Sequence, residues 1–442
     1  MTTTTTRLHR LAWLAGLTVL GATGCNYDIA NPNSPDPIGA NPTRERIGNV
    51  ANGILIGLRG YYPGWILNTS IIGREGYRFD GSEPRYTSEA LTGQLDAGGF
   101  IGASQWAGPY RNIRAENTLL TVLPTASTLT AEEISAASGF TRTMQALDFL
   151  NVLAGHTQDS IPIDVGGDPT AAPAPFVSNA AAYDHVERLL DSALTDLQNG
   201  GSEFPFDLGA GFGAFSTPSE FAKVNRALRA RVDVYRQNWA QALTDVAASF
   251  IDTSSAGQLN LGAYLRYGTG SGDATNPLLA TEDFAHPQLR DSAQLQPGGN
   301  PDLRFLRKTR DRASQTTSGL TSDLAWDLYP NPNSQIPIIR NEELILIRAE
   351  ANLQLNNLGP ARDDINFVRV NSGGLAPLAA FGNQAAGINA LLYERRYSLL
   401  FEWGHRWIDM RRYNRLNQLP IDRPGDVVYT TFPIPTDEVL PR

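Results

Sequence analysis

The sequence has a single cysteine, Cys25, among its 442 residues. A lone thiol cannot form an intramolecular disulfide, so a disulfide-stapled fold is excluded. The sequence also lacks a P-loop, an HExxH motif, a CxxC motif and a nucleophile elbow. Because the usual nucleotide, zinc and hydrolase motifs are missing, we predict no cofactor, no metal site and no catalytic residue.

Basic residues are fewer than acidic residues in this chain. The chain has 36 Lys and Arg residues against 45 Asp and Glu residues, a formal net charge of -9. An acidic protein of this kind does not suit nucleic acid as a partner. The hydrophobic content of 41% is ample for a large core, although no apolar run beyond the N-terminal region is long enough to span a bilayer.

The N-terminal region has the layout of an export signal. Arg7 and Arg10 precede an apolar run at residues 11–20, which is shorter than the roughly 20 residues that a transmembrane helix needs. This pattern predicts a secretory signal peptide over residues 1–24. Its removal would take away two arginines and no acid, which leaves 34 basic against 45 acidic residues and a net charge of -11.

Cys25 stands directly after the small residues Ala22, Thr23 and Gly24. Small residues before a cysteine just past an export signal resemble a bacterial lipobox, so we predict that Cys25 is lipidated, with palmitate among its acyl groups. Residues 25–43 are rich in Asn and Pro and are predicted to form an extended tether. The alternative for Cys25 is a free thiol beside an ordinary cleavage site.

Two stretches, about 104–253 and about 340–412, carry apolar residues at the three- and four-residue spacings of amphipathic helices. Within the first stretch, Thr217 followed by Pro218 is a helix start signal. A short break at Asn238 joins two helices, and short connections indicate antiparallel neighbours. We therefore predict a mostly α fold, built as a degenerate tetratricopeptide-like helical-repeat scaffold.

The interval from about 254 to 339 differs in composition. It is rich in Gly, Pro, Asn and Asp and shows weak periodicity, which predicts a large irregular, loop-rich insertion. It includes GTGSGD at residues 268–273, where glycines are spaced as in some nucleotide-binding turns. No strand pattern precedes this segment and no helix pattern follows it, so we predict a flexible loop.

A dense group of charges lies at residues 394–412. Glu402, His405 and Asp409 would meet on one side of an unbroken helix, as metal ligands do, although Gly404 is expected to interrupt that helix. The surrounding arginines favour a second interpretation, a structural clasp of arginine–carboxylate pairs. The residues predicted to form this clasp are Glu394, Arg395, Glu402, Arg406, Asp409 and Arg411.

The same segment carries a family resemblance. Residues 393–396 (YERR) followed by 400–412 (LFEWGHRWIDMRR) resemble the signature of the SusD/RagB family of nutrient-binding outer-membrane lipoproteins. Residues 348–351 with 365–369 are similar to the family's paired helices, and FPIP at 432–435 is similar to its closing motif. The resemblance extends over the predicted mature chain, with residues 44–442 as one SusD-like domain.

The resemblance implies a binding protein that is not an enzyme. Members of the family are anchored by lipid to the bacterial outer membrane, on the outer face, as lids on TonB-dependent SusC-like transporters. Their repeat half faces the transporter, and their irregular half carries the ligand groove. Their ligands are commonly oligosaccharides and in some members peptides, so nutrient uptake is the implied role.

Glycan recognition calls for exposed aromatic faces beside Asn, Asp and Arg side chains. We predict one such set in an early loop, a second in the insertion, and a weaker third near the glycine-rich segment; packing in the core is the alternative for each. These candidates are Tyr61, Tyr62, Trp65 and Asn68, then Trp326 and Tyr329, and then Tyr264 and Tyr267.

Two other classes of function stay open at this point. The chain could be a helical-repeat scaffold without a small ligand. It could also be a glycan hydrolase, which would need two carboxylates facing each other across a cleft.

Overall fold

The computed structural model describes residues 38–157, 159–166 and 173–439. The predicted signal peptide, Cys25 and most of the predicted tether lie outside these ranges. Within them, no helix is both long and apolar enough to cross a membrane.

Helices dominate the described chain, in agreement with the predicted fold class. They are α1 (Arg44–Ile72), α2 (Glu89–Thr92), α3 (Ser104–Val122), α4 (Ala131–Gly155), α5 (Asn179–Gln198), α6 (Pro218–Arg236), α7 (Trp239–Ala247), α8 (Gln288–Asp291), α9 (Leu303–Lys308), α10 (Asn341–Gln354), α11 (Leu358–Asn371), α12 (Gln384–Ser398), α13 (His405–Arg412) and α14 (Thr436–Val439).

The long helices stack in chain order. Helix α1 packs on α3, and α3 to α7 then pack each on the next, after which α7 packs on α10 and α10 on both α11 and α12. Thr217 caps α6 by accepting from the Glu220 backbone N–H, and the break at Asn238 separates α6 from α7 as predicted. Each helix therefore buries its apolar stripe against its neighbours in sequence, as in a repeat scaffold.

Helix α1 corrects the prediction of an early loop. Its apolar residues Ile47, Ile54 and Leu58 are fully buried at helical spacing, and Thr43 caps it by accepting from the Arg46 N–H. The helix continues through Pro63. Several glycines and Pro63 have low helix propensity, so the sequence alone does not predict this helix. Packing against α3 stabilises it.

The interval from 254 to 339 is more regular than its composition suggests. It contains five strands, and three short strands lie earlier in the described chain. In chain order the strands are β1 (Gly76–Arg78), β2 (Ile161–Pro162), β3 (Phe176–Val177), β4 (Gly262–Leu265), β5 (Asp283–Ala285), β6 (Thr309–Thr317), β7 (Leu320–Trp326) and β8 (Ile336–Arg340).

These strands form three antiparallel groups. A four-stranded sheet has the order β1-β5-β7-β6, and two pairs are formed by β2 with β3 and by β4 with β8. In the β4–β8 pair, Gly262 lies opposite Arg340 and Leu265 lies opposite Ile336. Because β4 and β8 are far apart in the chain and stabilise each other, the sequence of either strand alone does not predict that strand.

Candidate functional site

The charged segment at 394–412 forms a buried ion-pair network. The Glu394 carboxylate forms an ion pair with Arg304 at 2.6 Å and accepts from Arg369 at 2.9 Å, which ties α12 to α9 and α11. Arg395 donates to Asp409 at 2.6 Å across α12 and α13. These pairs join four helices, a structural arrangement rather than a ligand site.

Glu402, His405 and Asp409 each have a different partner. Glu402 pairs with Arg340 at 2.9 Å, and the His405 ring lies 3.5 Å from Glu343, while Asp409 is held by Arg395. Burial lowers the pKa of His405. In the part of the chain that the structure describes, no group of three His, Cys, Asp or Glu residues is placed to hold a metal ion.

The remaining two clasp candidates make other contacts. Arg411 donates to the Ala154 carbonyl at 2.6 Å and lies over the Trp407 ring, so it binds backbone and aromatic groups rather than a carboxylate. The Arg406 guanidinium lies in the field of Glu75 and Asp409, and burial lowers its pKa to about 10.

The turn between α12 and α13 has a strained backbone. Phe401, Trp403 and Gly404 adopt φ angles of 57°, 47° and 81°, in the left-handed region. Two side chains predicted to bind ligand make hydrogen bonds to this turn, since Trp65 donates to the Trp403 carbonyl at 2.7 Å and Tyr329 donates to the Phe401 carbonyl at 3.2 Å.

The early aromatic set lies in the core, which corrects its expected exposure. Tyr62 and Trp65 are fully buried on α1, and Asn68 is 5% exposed. The Tyr61 hydroxyl donates to the buried carboxylate of Asp148. Within the described residues, helix packing covers the rings of Tyr62 and Trp65 completely, whereas Tyr61 is half-buried.

Trp326 also has a packing partner. Its ring stacks on Phe401 with centroids 4.4 Å apart and an angle of 8° between the planes. One face of Trp326 is thereby covered, so its half-buried side chain supports the strained turn.

The other three aromatic candidates come together. Tyr264, Tyr267 and Tyr329 line three adjacent cavities of about 300, 390 and 520 Å³ around β4 and the segments at 266–273 and 328–337. Tyr264 borders the first and third cavities, and Gln335 borders the second and third. We call this set of cavities the tyrosine groove.

The tyrosine groove is rich in hydrogen-bonding side chains. Its amides are Asn52, Asn260, Asn333, Gln335 and Asn371, all exposed. The segment at 268–273 borders it too, and Gly268 has a specific role there, because a Cβ at that position would lie 2.3 Å from the Asp273 carboxylate. The predicted flexible loop is thus part of the groove wall.

Tyr267 has an unusual hydroxyl group. Its side chain is 3% exposed, and the hydroxyl has no hydrogen-bond partner among the described residues, although the ring borders the second cavity. A buried hydroxyl without a partner costs about 1–3 kcal/mol. Tyr264 differs, since its hydroxyl donates to the Asn260 carbonyl at 2.6 Å and burial raises its pKa to about 12.

Several groove residues have no signal in the sequence alone. Arg59 comes from α1, Asp273 from the glycine-rich segment and Arg307 from α9, and they meet only because those elements pack around β4. The nearest signal is the cluster of Tyr, Arg, Gly and Asp at 264–273, which mixes aromatic and polar residues within one loop.

One segment of the chain matches a known protein family. Residues 326–437 match the model of the SusD family. The sequence matches no curated protein.

Solved structures share the fold. A SusD superfamily protein from Bacteroides vulgatus has a TM-score of 0.68 and 15% identity, with 90% of this chain and 96% of that chain covered. A SusD-like carbohydrate-binding protein from the same species has a TM-score of 0.63 and 16% identity, with 84% and 83% covered.

A further structure is that of a laminarin-binding SusD-like protein, with a TM-score of 0.60, 16% identity and coverage of 88% of this chain and 96% of that one. Identities this low establish the fold. The chain therefore has a SusD-like fold over most of its length and matches the SusD family model in its C-terminal quarter.

Proposed function

We propose that this protein captures an oligosaccharide in the tyrosine groove. The observation that carries the proposal is the half-buried Tyr264 ring, which borders two of the adjacent cavities beside exposed amide side chains. The buried Tyr267 borders the second cavity, and its hydroxyl has no hydrogen-bond partner among the described residues. Aromatic faces cover the apolar C–H surfaces of sugars, and amides reach their hydroxyl groups. The SusD-like structures of carbohydrate-binding proteins support the same ligand class.

The shape of the groove favours a chain of sugars over a single small molecule. Each cavity falls within or near the volume range of about 300–1,000 Å³ that is usual for ligand pockets. Because neighbouring cavities share lining residues, linked sugar units could occupy them in succession. A peptide is the second ligand class that the family resemblance leaves open.

The groove carboxylates do not support a hydrolase. Glycoside hydrolysis needs a protonated acid facing a second carboxylate. Burial alone would raise the pKa of Glu342, but Arg340 and Lys308 outweigh it and bring the pKa to about 2. The same two cations lower the pKa of Glu402 against the effect of its burial. Both groups are ionised at neutral pH, so neither serves as a general acid.

The cellular setting of the proposal is a lipoprotein of the bacterial outer membrane, anchored through Cys25 and facing the exterior. It would pass its glycan to a TonB-dependent SusC-like transporter, with the helical repeats as the docking surface. The signal-peptide layout and the SusD family match support this setting. A Cys25→Ala variant should lose palmitate labelling and leave the membrane fraction; retention of the label would contradict the anchor.

A glycan-array screen followed by titration calorimetry tests the groove. We expect Tyr264→Ala to weaken binding of the glycan found by about tenfold or more, because it removes a ring from two cavities. Trp239→Ala is the matched control, since Trp239 is also half-buried but lies on α7 outside the groove. Absence of any glycan binding would favour a scaffold without a small ligand.

A further inference from the structure

We infer that the glycan bound in the tyrosine groove is anionic, bearing carboxylate or sulfate groups. The inference rests on the proposed function, because it names the class of glycan for the same groove. It comes from an excess of positive charge in the groove of a protein whose formal net charge is -9.

The inner part of the groove is electrically balanced. Lys308 and Arg340 pair with Glu402 at 3.0 and 2.9 Å, and Arg340 also pairs with Glu342. These four side chains are buried, and two cations meet two carboxylates. The inner wall therefore contributes no net charge.

The outer part has three arginines and one carboxylate. Arg59, Arg266 and Arg307 line the groove, and Asp273 is the one acid among the other described lining residues. None of the three arginines forms an ion pair with a carboxylate in the described part of the chain. The outer groove thus carries an excess of two positive charges.

Two of these arginines are oriented by backbone groups. Arg59 Nη1 donates to the Arg266 carbonyl at 3.0 Å, and Arg307 Nη2 donates to the Ser372 carbonyl at 2.7 Å. Neutral carbonyls leave the guanidinium charge uncompensated while they restrict its position. A planar guanidinium held in this way suits two-point binding of a carboxylate or sulfate.

The arrangement of charge also fits a repeating acidic polymer. Arg59 lines the first cavity, Arg266 the first and second, and Arg307 the third. A neutral glycan would leave this excess of two positive charges without a counter-charge. A glycan with an acid group on successive units would offer one to each cavity.

The test compares polymers that differ only in charge. Polygalacturonate and alginate would each be titrated beside their carboxyl-reduced, neutral forms, with chondroitin sulfate and laminarin as further probes. We expect an acidic polymer to bind at least tenfold more tightly than its neutral form. Added salt at 0.5 M should weaken that binding severalfold, because exposed charges are screened.

Charge-removing variants locate the effect. Arg266→Gln and Arg307→Gln should each weaken binding of the acidic polymer by threefold or more and leave neutral polymers unaffected. Arg362→Gln is the control, because it removes the same charge from α11 outside the groove, where Arg362 pairs with the exposed Asp363.

The outcomes separate the two levels of the proposal. Tight binding of a neutral glycan that is lost in Tyr264→Ala but unchanged in Arg307→Gln would overturn the anionic assignment and keep the groove. Acidic-polymer binding that both arginine variants leave intact would also overturn the assignment. Binding of no polymer, or binding indifferent to Tyr264, would overturn the proposed function itself.

Discussion

At the residue scale, the same amino-acid type serves two purposes in this chain. Tyr62 and Trp65 are buried and pack against Trp403 in the strained turn, whereas Tyr264 and Tyr267 line a groove. The sequence predicts all four as candidates because aromatic residues near polar ones look alike in either setting. The packing of α1 covers Tyr62 and Trp65, and it depends on residues far away in the chain.

Tyr267 offers a test in which stability and binding change separately. Tyr267→Phe removes a buried hydroxyl that has no partner among the described residues, so the free energy of unfolding should stay the same or rise by about 1 kcal/mol. Glycan affinity should fall, because the ligand loses a hydrogen-bond partner. Urea denaturation and calorimetry measure the two effects. A clear loss of stability with unchanged affinity would assign the hydroxyl a structural role instead.

Glu116 and Asp148 form a buried acidic pair outside the groove. Burial raises the pKa of Glu116, and the nearby Asp148 raises it further, while burial brings the pKa of Asp148 to about 7. Asn112 donates to Asp148 at 2.7 Å, and Tyr61 donates to it as well. Both carboxyl groups therefore favour the protonated form in the folded state.

The sign of the pH effect follows from these raised pKa values. Below about pH 4 the pair is protonated in both folded and unfolded states and its contribution is fully present; it is lost as the pH rises toward about 7. Glu116→Gln should therefore be stabilised relative to the parent by roughly 1–3 kcal/mol more at pH 7.5 than at pH 4.5. Denaturation at both pH values checks this, with Glu132→Gln, an exposed acid on α4, as control. An equal difference at both pH values would contradict the raised pKa values of the pair.

At the element scale, helices with local start signals are the predictable ones. Thr130 and Glu133 form a full capping box at the start of α4, and Thr217 caps α6. Helix α1 and the β4–β8 pair are not predictable in this way. The helix contains glycines and Pro63, and the two strands are stabilised by partners about 70 residues apart.

The turn before α13 depends on one glycine. Gly404 has a φ of 81°, and a Cβ there would lie 2.5 Å from the Thr69 hydroxyl. Gly404→Ala should lower the free energy of unfolding by roughly 1–3 kcal/mol, from backbone strain together with the clash. Chemical denaturation measures the loss.

Gly60→Ala is the matched control for that variant. Gly60 lies within α1, and a Cβ at this position would meet nothing within 4 Å. Alanine should stabilise the helix there by about 0.5–1 kcal/mol. Similar effects at both glycines would contradict the assignment of a strained turn to Gly404.

At the scale of the whole molecule, the fold class and the SusD family match of residues 326–437 could be predicted from the sequence, but the groove could not. The signature at 400–412 is contiguous, and so it can be identified directly. The groove combines residues from α1, β4, the 266–273 segment, α9 and β8. No local pattern links these elements, so their meeting is visible only in the folded chain.

The repeat scaffold and the groove also differ in how their charges are paired. Clasp carboxylates such as Glu394 and Asp409 are neutralised by arginines inside the helix stack. The arginines at the outer groove have no carboxylate partner within the described residues. A positive potential at the groove of an otherwise acidic protein would attract an anionic polymer to the groove and not to the rest of the surface.

Hydrogen–deuterium exchange with and without the bound glycan tests the tyrosine groove most directly, because it locates the ligand without altering the protein. We expect protection of backbone amides at residues 260–273 and 328–337, with little change in helices α4 to α6. Protection confined to other segments, with the groove amides exchanging as in the free protein, would contradict the groove as the binding site.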